Sequence, residues 1–132
     1  MKLLLDSNII SDIIRDSHGR AGTRFRQRGV DQSCTSIVVA AELRFGAVRK
    51  ASLVLTERVE AILAYIPVIP LEPPVDRHYA VLRAELERAG KPISANDMLI
   101  AAHALALGCI LVTDNVREFS RVRNLTVENW LR

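Results

Sequence analysis

The opening run MKLLLD places the tightest constraint on the fold. Lys2 to Leu5 is short and apolar and ends abruptly at a charge, Asp6. A strand with no polar face has to be covered on both sides, the situation of a strand in a parallel sheet packed between helices. The pattern returns near the other end, where CILVT (109–113) has the branched side chains of a buried strand and is followed by Asp114. Between them the periodicity is helical. Ile9, Ile10, Ile13 and Ile14 recur on one face of a helix that Asp6 or Ser7 can cap. Gly19 and Gly22 bracket a break before an Arg-rich helix that reaches about Arg28 and ends at Gly29. SCTS reads as a short strand or turn, and Ser36 caps a helix from Ile37 to about Lys50. Ser52 to Ile66 is helical, with Leu55, Val59, Ile62 and Ile66 as its stripe. Prolines 67, 70, 73 and 74 confine VIPL to a short edge strand, because proline cannot donate to a ladder. A further helix carries Val75, Tyr79, Leu82, Leu86 and Ala89, with Gly90 at its end and Pro92 beyond. The last long helix, capped by Ser94 or Asn96, runs to Gly108, and the rest is a loop, a short LTV strand and Trp130. The expected fold is α/β: one domain over residues 1–132, with a short, mainly parallel central sheet flanked by helices.

Composition narrows the class. With 49% hydrophobic residues, the 132-residue chain can build a core without metal or disulfide support. Cys34 and Cys109 lack zinc-ligand spacing and fit a reducing cytoplasm. The longest uncharged run, Met98 to Thr113, is too short to cross a bilayer, and Asp6 interrupts the N-terminal run before an export signal forms. The net charge of +3 comes from 18 basic and 15 acidic residues, and the basic set is almost all arginine. Arginine's planar fork suits phosphate, and Arg15, Arg20, Arg24, Arg26 and Arg28 lie in a stretch whose single acid is Asp16. These five form the candidate surface for a nucleic acid or an acidic protein partner.

Several acids sit where apolar pattern would exclude them. Asp6 and Asp114 stand at the carboxyl ends of strands, where parallel α/β sheets bind ligands. Glu42 shares a helical stripe with Val38 and Phe45, and Asp97 starts the stripe Ile100, Ala101, Ala104, Leu105. Glu118 follows Asp114 by four residues. Taken singly, each has a structural reading as a helix cap, dipole partner, ion-pair member or turn residue. Taken together, grouped carboxylates require protonation or a cation, and all-oxygen ligands suit Mg²⁺ or Mn²⁺. Such a site activates water against a phosphodiester, which points to a metal-dependent nuclease. Removing four of the 15 acids to such a centre leaves 18 basic residues facing 11 acids, a surface suited to RNA.

LLLDSN, VVAAELRFGA, PISANDMLIAAHALALG and LVTDNVREFSRV…LTVENW resemble, in order and spacing over nearly the whole chain, the successive motifs of PIN-domain proteins, specifically the VapC-type ribonuclease toxins. The resemblance implies a compact α/β PIN-like domain and Mg²⁺- or Mn²⁺-dependent RNA hydrolysis, often of a tRNA. It also implies homodimers and inhibition by a cognate VapB-type antitoxin. By position, Asp6, Glu42 and Asp97 match the three best-defined catalytic and metal-binding acids. The fourth is either Asp114 or Glu118, since Asn115 occupies the place where many PIN domains carry an acid. Asn8, Ser36, Thr113 and Asn115 are candidates for orienting the ligands.

Three rivals are weaker. A haloacid-dehalogenase-like phosphatase needs an acid where this chain has Asn8. Metal-free RNA cleavage needs a histidine pair, yet His103 lies among alanines on a buried helix and His18 in a glycine-rich loop. A non-catalytic RNA- or protein-binding module lacks a stacking platform, because only 5% of the residues are aromatic.

Overall fold

A computed structural model describes residues 2–132. The strands are β1 (Leu3–Leu5), β2 (Ser33–Ser36), β3 (Val68–Ile69), β4 (Ile110–Val112) and β5 (Val127–Glu128). The helices are α1 (Ser7–Arg15), α2 (Arg20–Arg28), α3 (Ile37–Lys50), α4 (Leu53–Tyr65), α5 (Val75–Arg88), α6 (Ala95–Leu107) and α7 (Val116–Phe119), with a 3₁₀ turn at Val30–Gln32. The sheet has the order β3-β2-β1-β4-β5, and every pairing is parallel. β1 is central because nothing in it tolerates water: Leu3, Leu4 and Leu5 are all at most 1% exposed. Its neighbours are β2, through Leu3↔Ser33, and β4, through Leu5↔Val112.

The strand order fixes where a ligand can bind. From β1 the chain moves outward through β2 to β3, then crosses back to β4 and moves outward the other way to β5. The reversal falls between β1 and β4, so their carboxyl ends form the edge of a crevice at the topological switch point. Asp6 and Thr113 are the residues that leave those two ends.

The helices bury the stripes expected of them, with instructive exceptions. In α1, Ile9, Ile10 and Ile13 are buried, and in α5 Val75, Leu82 and Leu86 pack toward α6, whereas Ala89 is exposed beyond the stripe. α5 closes with Gly90 at φ 66° while Lys91 N–H bonds the Leu86 carbonyl at 3.0 Å. The edge strand β3 lies between Pro67 and Pro70, as the prolines require.

Four expectations need correction. The Val38–Glu42–Phe45 stripe of α3 is not its buried face, for Phe45 is 62% exposed and the core side is Val39, Ala40, Leu43 and Ala47. The helix is apolar nearly all round, so its sequence admits two inward faces. Gly22 does not break the chain but lies inside α2, because a Cβ there would come within 2.2 Å of the Ser17 carbonyl oxygen. The four-residue α7 interrupts what reads as loop, and the last strand begins at Val127 rather than Leu125. Trp130 is fully buried against Phe25, with ring centroids 6.5 Å apart, and closes the core from the C-terminal side.

The two helical glycines make opposite predictions. Gly22→Ala drives a methyl into backbone and should destabilise the protein by roughly 1–3 kcal/mol. A Cβ at Gly46 meets nothing within 4 Å, so Gly46→Ala should stabilise it by about 0.5–1 kcal/mol. Urea unfolding midpoints of the two variants check both signs.

Candidate active site

Asp6 follows directly from β1 and caps α1, so its carboxylate is aimed by a strand and a helix at once. Its N–H continues the ladder to the Val112 carbonyl at 2.9 Å. Oδ1 accepts the Ser7 N–H at 2.8 Å, and Oδ2 accepts the Thr113 hydroxyl at 2.7 Å and the Asn8 amide at 3.3 Å. Thr113 Oγ1 also accepts the Asn115 N–H at 3.0 Å, and Asn8 Oδ1 accepts the Asp114 N–H at 3.0 Å. The ends of β1 and β4 are thus laced together around one carboxylate that is only 3% exposed.

The other acids arrive from three helices. Asp97 stands in the first turn of α6, where Ser94 Oγ accepts its N–H at 3.2 Å. The Asn115 amide reaches both Asp97 Oδ2 at 3.4 Å and Glu118 Oε2 at 3.3 Å, joining α6 to α7. Glu42 projects from α3, and its Oε1 is buried without a hydrogen-bond partner. Asp114 goes elsewhere: its carboxylate accepts from Asn129 at 3.0 Å and faces Arg132 at 3.6 Å. Of the two candidates for a fourth acid, Glu118 faces the other acids and Asp114 does not.

Burial and mutual repulsion act on this group in the same direction. Burial pushes the Asp6 carboxyl up, against the pull of its hydrogen bonds from Thr113, Ser7 and Asn8. Glu42 is raised first by burial and then by the charges of Asp6 and Asp97, against hydrogen bonding from Asn96 and Ser7. Asp97 is raised by burial, by Asp6 and by Glu118, with the Ser94 cap opposing. No basic side chain pairs with Asp6, Glu42, Asp97 or Glu118 among the described residues. An all-oxygen donor set with one orphaned buried oxygen and no built-in countercharge fits a hard divalent cation. Among the described residues, however, no three acidic, His or Cys side chains close tightly enough to enclose an ion. Asp6, Glu42 and Asp97 thus act on one another electrostatically without forming the closed three-carboxylate cage expected from the sequence.

The histidines take no part. His103 is 1% exposed; its Nδ1 meets Ser36 Oγ at 2.8 Å, it also bonds the Pro70 carbonyl, and burial lowers its pKa.

The cationic surface differs from the one expected. Within α2, Arg26 donates to the Ser17 carbonyl at 2.5 Å, Arg28 pairs with Glu128, and Arg20 reaches the Leu131 carbonyl at 3.5 Å, which leaves Arg24 alone unengaged. A cleft of about 460 Å³ instead starts at Ser7 and Glu42 and is walled by Arg15, Arg49, Lys50 and Arg58. Arg15 also holds Asp12 at 2.5 Å. Arg58 carries no signal in sequence; only the approach of α4 to α1 brings it to this wall.

The chain has known relatives. The PIN-domain family profile matches residues 3–125. The chain belongs to the PIN-domain family. This PIN domain is 36% identical to Ribonuclease VapC2 of Haemophilus influenzae, over 99% of each chain. It is 34% identical to the tRNA(fMet)-specific endonuclease VapC of Shigella flexneri, over 98% of each. Its structure superposes on VapBC2 from Rickettsia felis, solved bound to a fragment of promoter DNA, with a TM-score of 0.90 at 31% identity. That match covers 98% of this chain and 99% of the other.

The raised acids carry a stability signature. Folding lifts their pKa above the ordinary 3.8 of Asp and 4.5 of Glu, so the native state holds more protons than the unfolded chain from about pH 4 up to the raised values. Their contribution is most favourable below that window and is lost as pH rises through it. In chelator, Glu42→Gln should raise Tm at pH 7 by a few degrees and leave it nearly unchanged near pH 4. The same substitution should shrink the Tm gain from added Mg²⁺ or Mn²⁺. Differential scanning fluorimetry across pH, with and without the ions, measures both.

Proposed function

We propose that this PIN domain is a metal-dependent endoribonuclease and the toxin of a toxin–antitoxin pair, hydrolysing RNA phosphodiester bonds with Mg²⁺ or Mn²⁺. The observation that carries the reading is the gathering of Asp6, Glu42, Asp97 and Glu118 at the β1–β4 switch point beside a basic cleft. It is supported by relatives of matching length named as ribonucleases, one of them specific for tRNA(fMet). A tRNA is therefore a candidate substrate, and a toxin acting on tRNA would work in the cytoplasm. No helix among the described residues is long and apolar enough to cross a membrane.

In this reading Asp6 and Asp97 hold the ion and Glu42 completes its shell or orients the attacking water. Bound there, the cation supplies Lewis acidity toward water and the phosphate. Thr113 and Asn8 hold the Asp6 carboxylate in place, and Asn115 spaces Asp97 from Glu118. Arg15, Arg49, Lys50 and Arg58 hold the phosphate backbone leading to the acids. The partner is a VapB-type antitoxin, in line with the VapBC complexes whose toxin chain this fold matches. The groove of about 670 Å³ between α1, α2 and α4, where Ile14, Phe25, Ile62 and the 67%-exposed Tyr65 meet Arg15 and Arg58, is an apolar seat with a basic rim suited to such a segment. Exposed Phe45, Val48, Leu53 and Val54 add an apolar face on α3 and α4, suited to a second copy in a homodimer.

Asp97→Asn should cut RNA cleavage at fixed Mg²⁺ by roughly 10²-fold or more, and excess EDTA should abolish it reversibly. Equal rates for wild type and Asp97→Asn would instead assign the fold to a non-catalytic RNA- or protein-binding module. The fourth acid is tested in the same assay. Glu118→Gln should lower the rate by roughly 10–100-fold, whereas Asp114→Asn stays near wild type.

A further inference from the structure

We infer that a groove between the C-terminal end of α5 and α7 is a second phosphate-holding surface, so that an RNA strand is gripped on both sides of the acidic centre. This rests on the ribonuclease reading and adds the path of the substrate. The groove encloses about 810 Å³, and its walls carry Lys91, Arg117 and Arg121 against a single acid, Glu85. Lys91 and Arg117 are exposed and pair with no acid among the described residues. Arg121 donates to the Pro92 carbonyl at 3.3 Å, which fixes its guanidinium at the wall.

Two of the groove's lining residues adjoin the acids along the chain. Arg117 directly precedes Glu118 in α7, and Pro92 stands two residues before Ser94, the cap of the helix that begins with Asp97. The cleft of Arg15, Arg49, Lys50 and Arg58 reaches the same centre from Glu42 and Ser7 and shares no residue with the groove. Four carboxylates repel a polyanion, so the attraction that brings RNA to them has to come from their flanks. One basic flank tethers a strand by one side of the cut, whereas two flanks hold the scissile phosphate in the middle, as an internal cut requires. The groove's cations point to a backbone ligand rather than a base-reading one, because no aromatic side chain lines it.

The test is binding of a fluorescein-labelled, mixed-sequence single-stranded RNA to the full chain in chelator, followed by anisotropy over a salt series. Lys91→Gln/Arg117→Gln removes two free cations and leaves the Arg121–Pro92 bond intact. Arg49→Gln/Lys50→Gln weakens the opposite flank. Arg77→Gln, roughly 16 Å along α5 from its C-terminal end, controls for charge. The groove double variant should bind at least about fivefold more weakly, with the log–log salt slope reduced by about 1.4, the value for two single-strand phosphate contacts. Unchanged Tm certifies the fold. If that variant matches Arg77→Gln in affinity and slope while Arg49→Gln/Lys50→Gln binds more weakly, the groove assignment is overturned and the ribonuclease reading stands. If the groove variant loses poly-glutamate binding but keeps RNA binding, the groove belongs to an acidic protein and the proposal falls. If wild type neither binds this RNA nor cuts it with Mg²⁺, the ribonuclease reading itself fails.

Discussion

The structure depends on one costly arrangement, a carboxylate buried where two parallel strands end. Asp6 is held by its own helix, by Asn8 and by Thr113 from the neighbouring strand, so its charge is desolvated by the same contacts that pin β1 to β4. Moving that charge to the surface would mean giving up the Leu5↔Val112 register. The all-leucine strand pays for the burial with apolar area removed from water on both faces. Every other acid of the site is then placed relative to Asp6, and their shared repulsion makes the centre a seat for positive charge. The fold thereby carries a free-energy cost at the acids, which the cation of the proposed function would relieve; stability and activity oppose each other at sites of that kind.

Much of this was legible in the chain because it rests on local signals. Apolar runs ending at Asp6 and Thr113 fix the two strands, and caps such as Ser36, Ser52 and Ser94 start helices within a residue of where periodicity puts them. The positions of Asp6, Glu42 and Asp97 stood out because each breaks an apolar pattern. What was not legible depends on a second element. The inward face of α3 is decided by α1, α4 and α6 packing on it, and an almost uniformly apolar helix does not encode that choice. Gly22 looks like a breaker until the Ser17 carbonyl is seen beside it. The arginines of α2 read as a free basic surface, yet Arg26 is engaged with the nearby Ser17 carbonyl, and Arg20 and Arg28 with the Leu131 carbonyl and Glu128 from the far end of the chain. Asp114 and Glu118 are four residues apart in sequence, and the single turn of α7 turns one toward the acids and leaves the other with Asn129 and Arg132.

The charge distribution also reads differently in three dimensions. A net charge of +3 hides a group of acids and two separate basic grooves, one lined from α1, α3 and α4 and the other from α7 and the turn after α5. Such a distribution suits a polyanion that has to be attracted at a distance and then admitted to a negatively charged point. Of the five arginines clustered in sequence only Arg15 lines a cleft, because the field near the acids is set by spatial order.

The spacing of the acids is held by apolar and neutral groups rather than by charge. Ser36 Oγ accepts the Val38 N–H to cap α3, the helix of Glu42, and meets His103 of α6, the helix of Asp97. The ring's other nitrogen bonds the Pro70 carbonyl beyond β3 and must donate to it, so in the neutral ring Nδ1 is the acceptor and the Ser36 hydroxyl donates to it. Burial keeps the imidazole neutral, which preserves Nδ1 as an acceptor. Two helices whose carboxylates repel are thus tied by a neutral hydrogen-bond chain in the interior. The tie is insensitive to salt, unlike the surface ion pairs. Repulsion between the carboxylates of α3 and α6 is therefore opposed in the core by a contact that carries no net charge.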